Sequence, residues 1–285
     1  MNGILILDQL DQLPPVLYKF RTFGKYTTDL VQNGSIYFAP ASSFNDPLDC
    51  HFVIDIEHLA TMSEMTLKRH VFQEMGRIRE NLTRKEKRAL APDALKRIKK
   101  QIRDPKSALP VIKESQNKYG IFCASGAVKG IESWQSLPMW AHYAVGHEGV
   151  CIGLSTEAIG RFQEERLRRE ELLMFDKVKY SDSVPSVTLL MGESNDADEI
   201  AATFFTKSKQ WRYEEEYRLI YWDHPSQAVS LGPDAVVEVI FGAKSSEADR
   251  QALCTALRET NPSAKVYRAK PLYGQYGMGR ELYRC

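Results

Sequence analysis

The segment QWRYEEEYRLIY, Gln210 to Tyr221, decides how this chain is read. Its second half has the aromatic and branched apolar content of a buried strand, and Glu214, Glu215 and Glu216 stand directly in front of it. Adjacent like charges repel, and burying them is unfavourable unless they are paired. Side chains two apart on a strand share a face. A strand through this run therefore puts Glu214 and Glu216 together and turns Glu215 away. Arg212 and Arg218 fall in the same alternation and offer ion pairs. Two carboxylates on one face beside Trp211 can also divide labour, one stabilising a cationic centre and the other positioning a nucleophile.

Further strands surround this one. VLYKF, SIYFAP, YGIFCAS, GVCIGLS, FDKVKYSD, DAVVEVIFGAK, AKVYRAK and YGMGRELYR all read as strands. YTTDLVQNGS is a helix with a threonine N-cap and a stop at Asn33-Gly34, and SSEADRQALCTALRET is a helix capped by Ser246. MWAHY, TEAIGRFQEERLRREELL and DADEIAATFFTKSKQW complete the helical segments of this part. ASSFNDPLDC is a loop, since Asn-Asp-Pro initiates turns. From residue 59 to 113 the chain reads as helices broken at Thr83 and at Pro92-Asp93. Between Leu67 and Lys106 it carries fourteen Lys/Arg against five Asp/Glu. The expectation is one α+β domain over 1–285. It would be a split, mostly antiparallel sheet around a cleft, with the basic helices of 59–113 inserted in it.

With 38 Lys/Arg against 37 Asp/Glu, the molecule as a whole is not an obvious polyanion binder. MNGILILDQLDQ lacks the cationic start of a signal peptide, and no apolar run is long enough to span a bilayer. The five cysteines are scattered without CxxC spacing. They read as buried or free thiols in a reducing cytoplasm, with Cys285 exposed.

Three further groups of residues could carry chemistry. Trp140, His142 and Tyr143 crowd one short stretch, with His147 following at a turn, and could wall a pocket for a planar ligand. Their spacing to Cys123 and Cys151 matches no zinc pattern. In YKFR, Tyr18 lies on the first strand and Arg21 at its end could clamp a phosphate, or form an ion pair. Asn45 and Asp46 make an Asx-type turn that could face the same cleft. In the basic helices, Arg97, Lys99 and Lys100 form either an electrostatic footprint for nucleic acid or a solvated charged face.

LYKFR, GSIYFAPASSFNDPLDC, IFCAS, LPMWAHYAVGHEGVCIGL, TKSKQWRYEEEYRLI and VVEVIFGAK follow one another in an order that resembles the prokaryotic domain-of-unknown-function family 2971, from Leu17 to Lys244. That family name implies no activity. More distantly, the arrangement looks like the ADP-ribosyltransferase fold, a split sheet around a cleft that holds NAD. The resemblance implies that Arg21 contacts phosphate and that Tyr18, Asn45, Asp46, Trp140, Tyr143 and Trp211 surround the dinucleotide. It also implies that Glu216 stabilises an oxocarbenium-like transition state while Glu214 orients the acceptor, with His142 beside them. Ser42, Ser43 and Ser125 are the candidates for the serine that such a site carries.

The leading expectation is a cytoplasmic ADP-ribosyltransferase-like enzyme that uses NAD and modifies a macromolecule, in a defence or toxin system. A non-enzymatic module binding nucleic acid, or a protein partner from such a system, is the alternative. A third reading is a metal-dependent nucleotide or phosphodiester hydrolase, with Asp46, Asp49, Glu214 and Glu216 as oxygen ligands.

Overall fold

The computed structural model describes residues 13–55, 60–78, 82–127, 130–188 and 196–285. The N-terminal segment read above for a signal lies outside them. The described strands are β1 (Val16–Arg21), β2 (Ser35–Pro40), β3 (Val53–Asp55), β4 (Tyr119–Ser125), β5 (Val150–Ser155), β6 (Leu173–Lys177), β7 (Lys179–Ser181), β8 (Ser186–Thr188), β9 (Thr206–Ser208), β10 (Glu216–Trp222), β11 (Gln227–Ser230), β12 (Val236–Phe241), β13 (Lys265–Pro271) and β14 (Met278–Leu282). The described helices are α1 (Lys25–Asn33), α2 (Glu64–Ile78), α3 (Arg84–Arg103), α4 (Leu109–Gln116), α5 (Leu137–Tyr143), α6 (Thr156–Arg168), α7 (Asp196–Phe205) and α8 (Glu247–Thr260).

Ten strands form one sheet, with the path β11-β2-β4-β1-β5-β12-β13-β14 and with β10 joining β4 to β6. Every pairing in it is antiparallel except β12 with β13, which α8 connects. The class is α+β, as the strand and helix pattern implies. β5 sits between β1 and β12, and Val150, Cys151, Ile152 and Leu154 are all fully buried. Gly153 is required there: a Cβ would lie 2.6 Å from the Glu238 side chain and 2.9 Å from that of Val16.

The sheet forks at β4. Along one edge, β4 pairs with β10 over its whole length, Tyr119 to Ser125. Its other edge is shared between two strands. β2 pairs only at Gly120 and Ile121, and β1 only at Ser125, opposite Tyr18. Between those contacts, Phe122 to Ala124 have no ladder partner on that side among the described residues. Lys19 enters this gap, its Nζ donating to the Cys123 carbonyl at 2.6 Å. An unpaired buried carbonyl is unfavourable, and the lysine supplies the donor that a strand would have given.

Several sequence expectations need correction. α1 is capped by Gly24, not by a threonine; Thr27 and Thr28 lie inside the helix and donate to the Thr22 and Gly24 carbonyls. Its stop is as expected, with Gly34 left-handed at φ 62°. Thr83 does begin a helix, in a capping box with Glu86. Pro92 breaks nothing, because α3 continues through it for another three turns. DADEIAATFFTKSKQW is not one helix: α7 ends at Phe205, Thr206–Ser208 is a strand paired with β7, and a 3-10 turn spans Lys209–Glu214.

The cysteines also differ from expectation. Cys254 and Cys285 form a disulfide with Cα atoms 5.1 Å apart, while Cys50, Cys123 and Cys151 are free. The pair is 31 residues apart and becomes adjacent only because the tail after β14 turns back onto α8. There Tyr283 donates to Glu247 and packs edge-on against Phe241. Among the described residues, no helix is long and apolar enough to cross a membrane.

Candidate functional site

The glutamate run is not a continuous strand. Glu214 closes the 3-10 turn, Glu215 is left-handed at φ 40° and ψ 55°, and β10 begins at Glu216. The left-handed residue, not strand alternation, throws Glu215 outward, where Lys177 meets its carboxylate at 2.5 Å. The expected outcome, Glu214 and Glu216 together with Glu215 apart, is reached by a different backbone.

Glu214 and Glu216 are each 3% exposed. Both accept from Lys207 Nζ on β9, at 2.6 and 2.9 Å. Asp49, from the loop after β2, lies 3.3 Å from the same nitrogen. Arg218, fully buried, donates through Nε to Glu216 at 2.7 Å and through one Nη to both Asp49 oxygens at 2.8 Å. Its other Nη donates to the Phe204 carbonyl at 2.6 Å. Tyr143 Oη donates to Glu214 at 2.5 Å, and the Glu216 amide donates to Tyr180 Oη at 2.9 Å. Three carboxylates thus surround two cations. Arg218 pairs with Glu216 as the alternation suggested, whereas Arg212 is exposed and Lys207 occupies the centre.

These environments push the two glutamates apart. Burial alone would raise the pKa of Glu216, but Arg218 and Lys207 outweigh it and hold the carboxyl well below the usual carboxylate range. Burial raises Glu214, the charge on Glu216 adds to this, and Lys207 offsets it only in part. Lys207 is itself held charged, its burial outweighed by Glu216, Asp49 and Glu214. Opposite shifts in a neighbouring pair are the pattern of an acid–base division of labour.

The cluster forms one wall of a cavity of ≈160 Å³ at the fork of the sheet. β1 contributes Tyr18, Lys19 and Phe20; the loop after β2 contributes Phe44, Asn45 and Asp49. Cys123, Ala124 and Ser125 come from β4, and Met139 and Tyr143 from α5. Of the residues singled out in the sequence, Tyr18, Asn45, Asp49, Cys123, Ser125, Tyr143, Glu214 and Glu216 therefore meet here. Tyr18 also donates to Glu238 at 2.7 Å, which fixes its ring.

The other candidates lie elsewhere. Trp140 is completely buried in the core against Phe20 and His147, with Nε1 donating to the Trp134 carbonyl. His142 is exposed and stacks on Tyr213, with Trp211 beside it and Lys207 over the Trp211 ring. Arg21 is outside the cavity lining and lies over the Tyr26 ring. Asp46 accepts from the Leu48 amide at 2.8 Å, the Asx turn that its sequence implied. Ser43 donates to the Pro40 carbonyl, and the Ser42 amide donates to Asn117. Arg97, Lys99 and Lys100 lie on α3, where Lys99 pairs with Glu64 at 3.2 Å. Asp49, Glu214 and Glu216 converge on an ammonium, and among the described residues no group of three or more His, Cys, Asp or Glu is placed to hold a metal ion.

Sequence reasoning missed Lys19, Lys207 and Tyr180 and gave Asp49 only a metal-ligand role. Lys207 had one available signal. After two core phenylalanines, the polar-cation-polar run Thr206 to Ser208 has the period of a short strand rather than of a helix.

A family model described as "Protein of unknown function (DUF2971)" matches residues 139–219, which hold Tyr143, Lys207, Glu214, Glu216 and Arg218 but not Lys19 or Asp49. No curated protein and no solved structure matches the chain.

Proposed function

We propose that the chain is an ADP-ribosyltransferase-like enzyme that cleaves the bond between nicotinamide and ribose in NAD and transfers ADP-ribose to an acceptor. One observation carries this reading: Glu214 and Glu216 share a cavity at the fork of the sheet, and their surroundings drive their protonation in opposite directions. Nicotinamide departs with the bonding electron pair. Positive charge develops on the ribose, and Glu216, whose ionised form Arg218 and Lys207 favour, faces it. Glu214, whose charged form is less favoured, accepts the proton that the acceptor hydroxyl loses as the new C–O bond forms. A pocket for a whole drug-sized ligand holds roughly 300–1,000 Å³, so ≈160 Å³ admits one end of NAD and leaves the rest on the surface outside. Arg21 has no part in this version of the site.

The test is nicotinamide release from NAD, followed by chromatography, together with the melting temperature in NAD. Wild type is expected to release nicotinamide and to melt higher with NAD. Glu216→Gln should keep the thermal shift and lose about 10²–10³-fold in rate, the usual effect of removing one electrostatic stabiliser. Absence of nicotinamide release in wild type rejects the reading. Circular dichroism establishes that the variant is folded.

A second feature favours nucleic acid as a partner. α3 carries Arg84, Lys85, Lys87, Arg88, Lys96, Arg97, Lys99, Lys100 and Arg103 against Glu86 and Asp93, and it has no buried residue. Its apolar seam of Leu95, Ile98 and Ile102 packs on Leu67 of α2, which leaves the cationic side outward.

A further inference from the structure

Lys19 is the cavity's exceptional cation. Lys207 and Arg218 are bound to carboxylates within hydrogen-bond distance. Among the described residues, the hydrogen-bond acceptor of Lys19 is a neutral carbonyl, that of Cys123, and the Phe122 ring lies 5.0 Å from its Nζ. An ammonium has three N–H donors, so two remain to be used at a side chain that lines the cavity. The fork explains why a cation sits there: Nζ stands in for the missing strand at Cys123. That role takes one of the three donors of a side chain that also lines the cavity.

Besides the charged wall of Asp49, Lys207, Glu214 and Glu216, the apolar part of the lining says what could enter. Tyr18, Phe20, Phe44, Met139 and Tyr143 are aromatic or thioether surfaces of the kind that pack on a flat ring. A cavity of about 150 Å³ holds one benzene ring, and this one is ≈160 Å³. We infer that the cavity is a receptor for a single planar ring bearing a carboxylate or carboxamide, with that group's oxygen taken by Lys19 Nζ and the ring held between the aromatic walls. Lys19 is then the residue that sets ligand specificity. An oxygen acceptor satisfies the ammonium, whereas a bare ring leaves its donors desolvated and unpaired.

The inference does not rest on NAD cleavage. A chain that binds such rings yet releases no nicotinamide keeps this inference and loses the other.

The experiment uses 4-fluorobenzoate, 4-fluorobenzamide and fluorobenzene, with binding to the full chain followed by ¹⁹F NMR. The benzoate and benzamide are expected to bind at least about tenfold more tightly than fluorobenzene, the worth of one hydrogen bond to a charged group. Lys19→Met should erase that preference while still binding fluorobenzene. Because this variant also removes the donor to Cys123, a second measurement avoids mutation. In protein labelled with ¹³C-lysine, the Lys19 side-chain signal should move with the benzoate and the benzamide but not with fluorobenzene. Equal binding of all three rings, no binding of any, or a Lys19 signal that ignores the oxygenated rings overturns the inference.

Discussion

Glu214 and Glu216, separated by one left-handed residue, share a single ammonium: Lys207 Nζ lies 2.6 Å from one carboxylate and 2.9 Å from the other. Asp49 reaches the same nitrogen from a loop more than 150 positions earlier in the chain. The cluster therefore ties the loop after β2, the short strand β9 and the entry of β10 into one unit.

Lys207→Met should be strongly destabilising. It leaves Asp49 and Glu216 buried with Arg218 as the cation still bound to them, and Glu214 without its ion-pair partner. Breaking a buried ion pair from one side costs about 3–5 kcal/mol. Urea unfolding followed by tryptophan fluorescence should show the midpoint falling with the slope unchanged. Glu214→Gln in the same background should recover part of the loss, because it removes one of the uncompensated charges.

Acid should weaken the fold through Glu216. Its folded pKa lies below that of the unfolded chain, about 4.3 for a free glutamate. Its contribution is therefore fully present above that value and is lost as pH falls toward the folded pKa. Stability measured from pH 7 down to pH 3 should drop less steeply in Glu216→Gln than in wild type.

Glu214 should govern the acid limb of any activity. Its pKa is raised, so the charged, proton-accepting form is lost at a pH above about 4.3, higher than for a free glutamate. As pH is lowered, carboxyl ¹³C NMR should find one glutamate protonating above the usual range and one still ionised at the lowest pH the fold survives. Tyr143→Phe removes the hydroxyl that donates to Glu214 and should raise that pKa further.

Charge reversal on α3 separates a nucleic-acid surface from a solvated helix. Arg97→Glu with Lys100→Glu alters side chains that are exposed, so the melting temperature should stay within a few degrees. Affinity for a fluorescent oligonucleotide should fall, and the dependence of log K on log salt should flatten by roughly one unit per lost phosphate contact. Unchanged affinity and slope remove α3 from the function.

Reducing the Cys254–Cys285 disulfide, or replacing Cys285 by serine, should cost about 3–4 kcal/mol from the loop of 31 residues that it closes. Unfolding with and without dithiothreitol measures this, and the serine variant should not respond to the reductant.

The sequence alone determined what is local. Apolar runs and alternation placed β1, β2, β4, β5, β10 and β12, and the Gly34 and Ser246 signals set helix ends, because period and capping depend on neighbours a few residues away. It also brought Glu214, Glu216 and Arg218 to attention, since an acidic run before a buried strand demands a partner. Tertiary structure decided the rest. Lys207 looked like one more polar residue of a helix until β9 turned it inward, and Asp49 like a turn residue until Arg218 reached it. Trp140 had the composition of a pocket wall and is core, because α5 lays that face against Phe20. The fork at β4 is the deepest case. No property of YGIFCAS says that two strands will share its edge and leave Cys123 open; that follows from how β1 and β2 diverge, and it is what turns Lys19 from a strand residue into the head of a cavity.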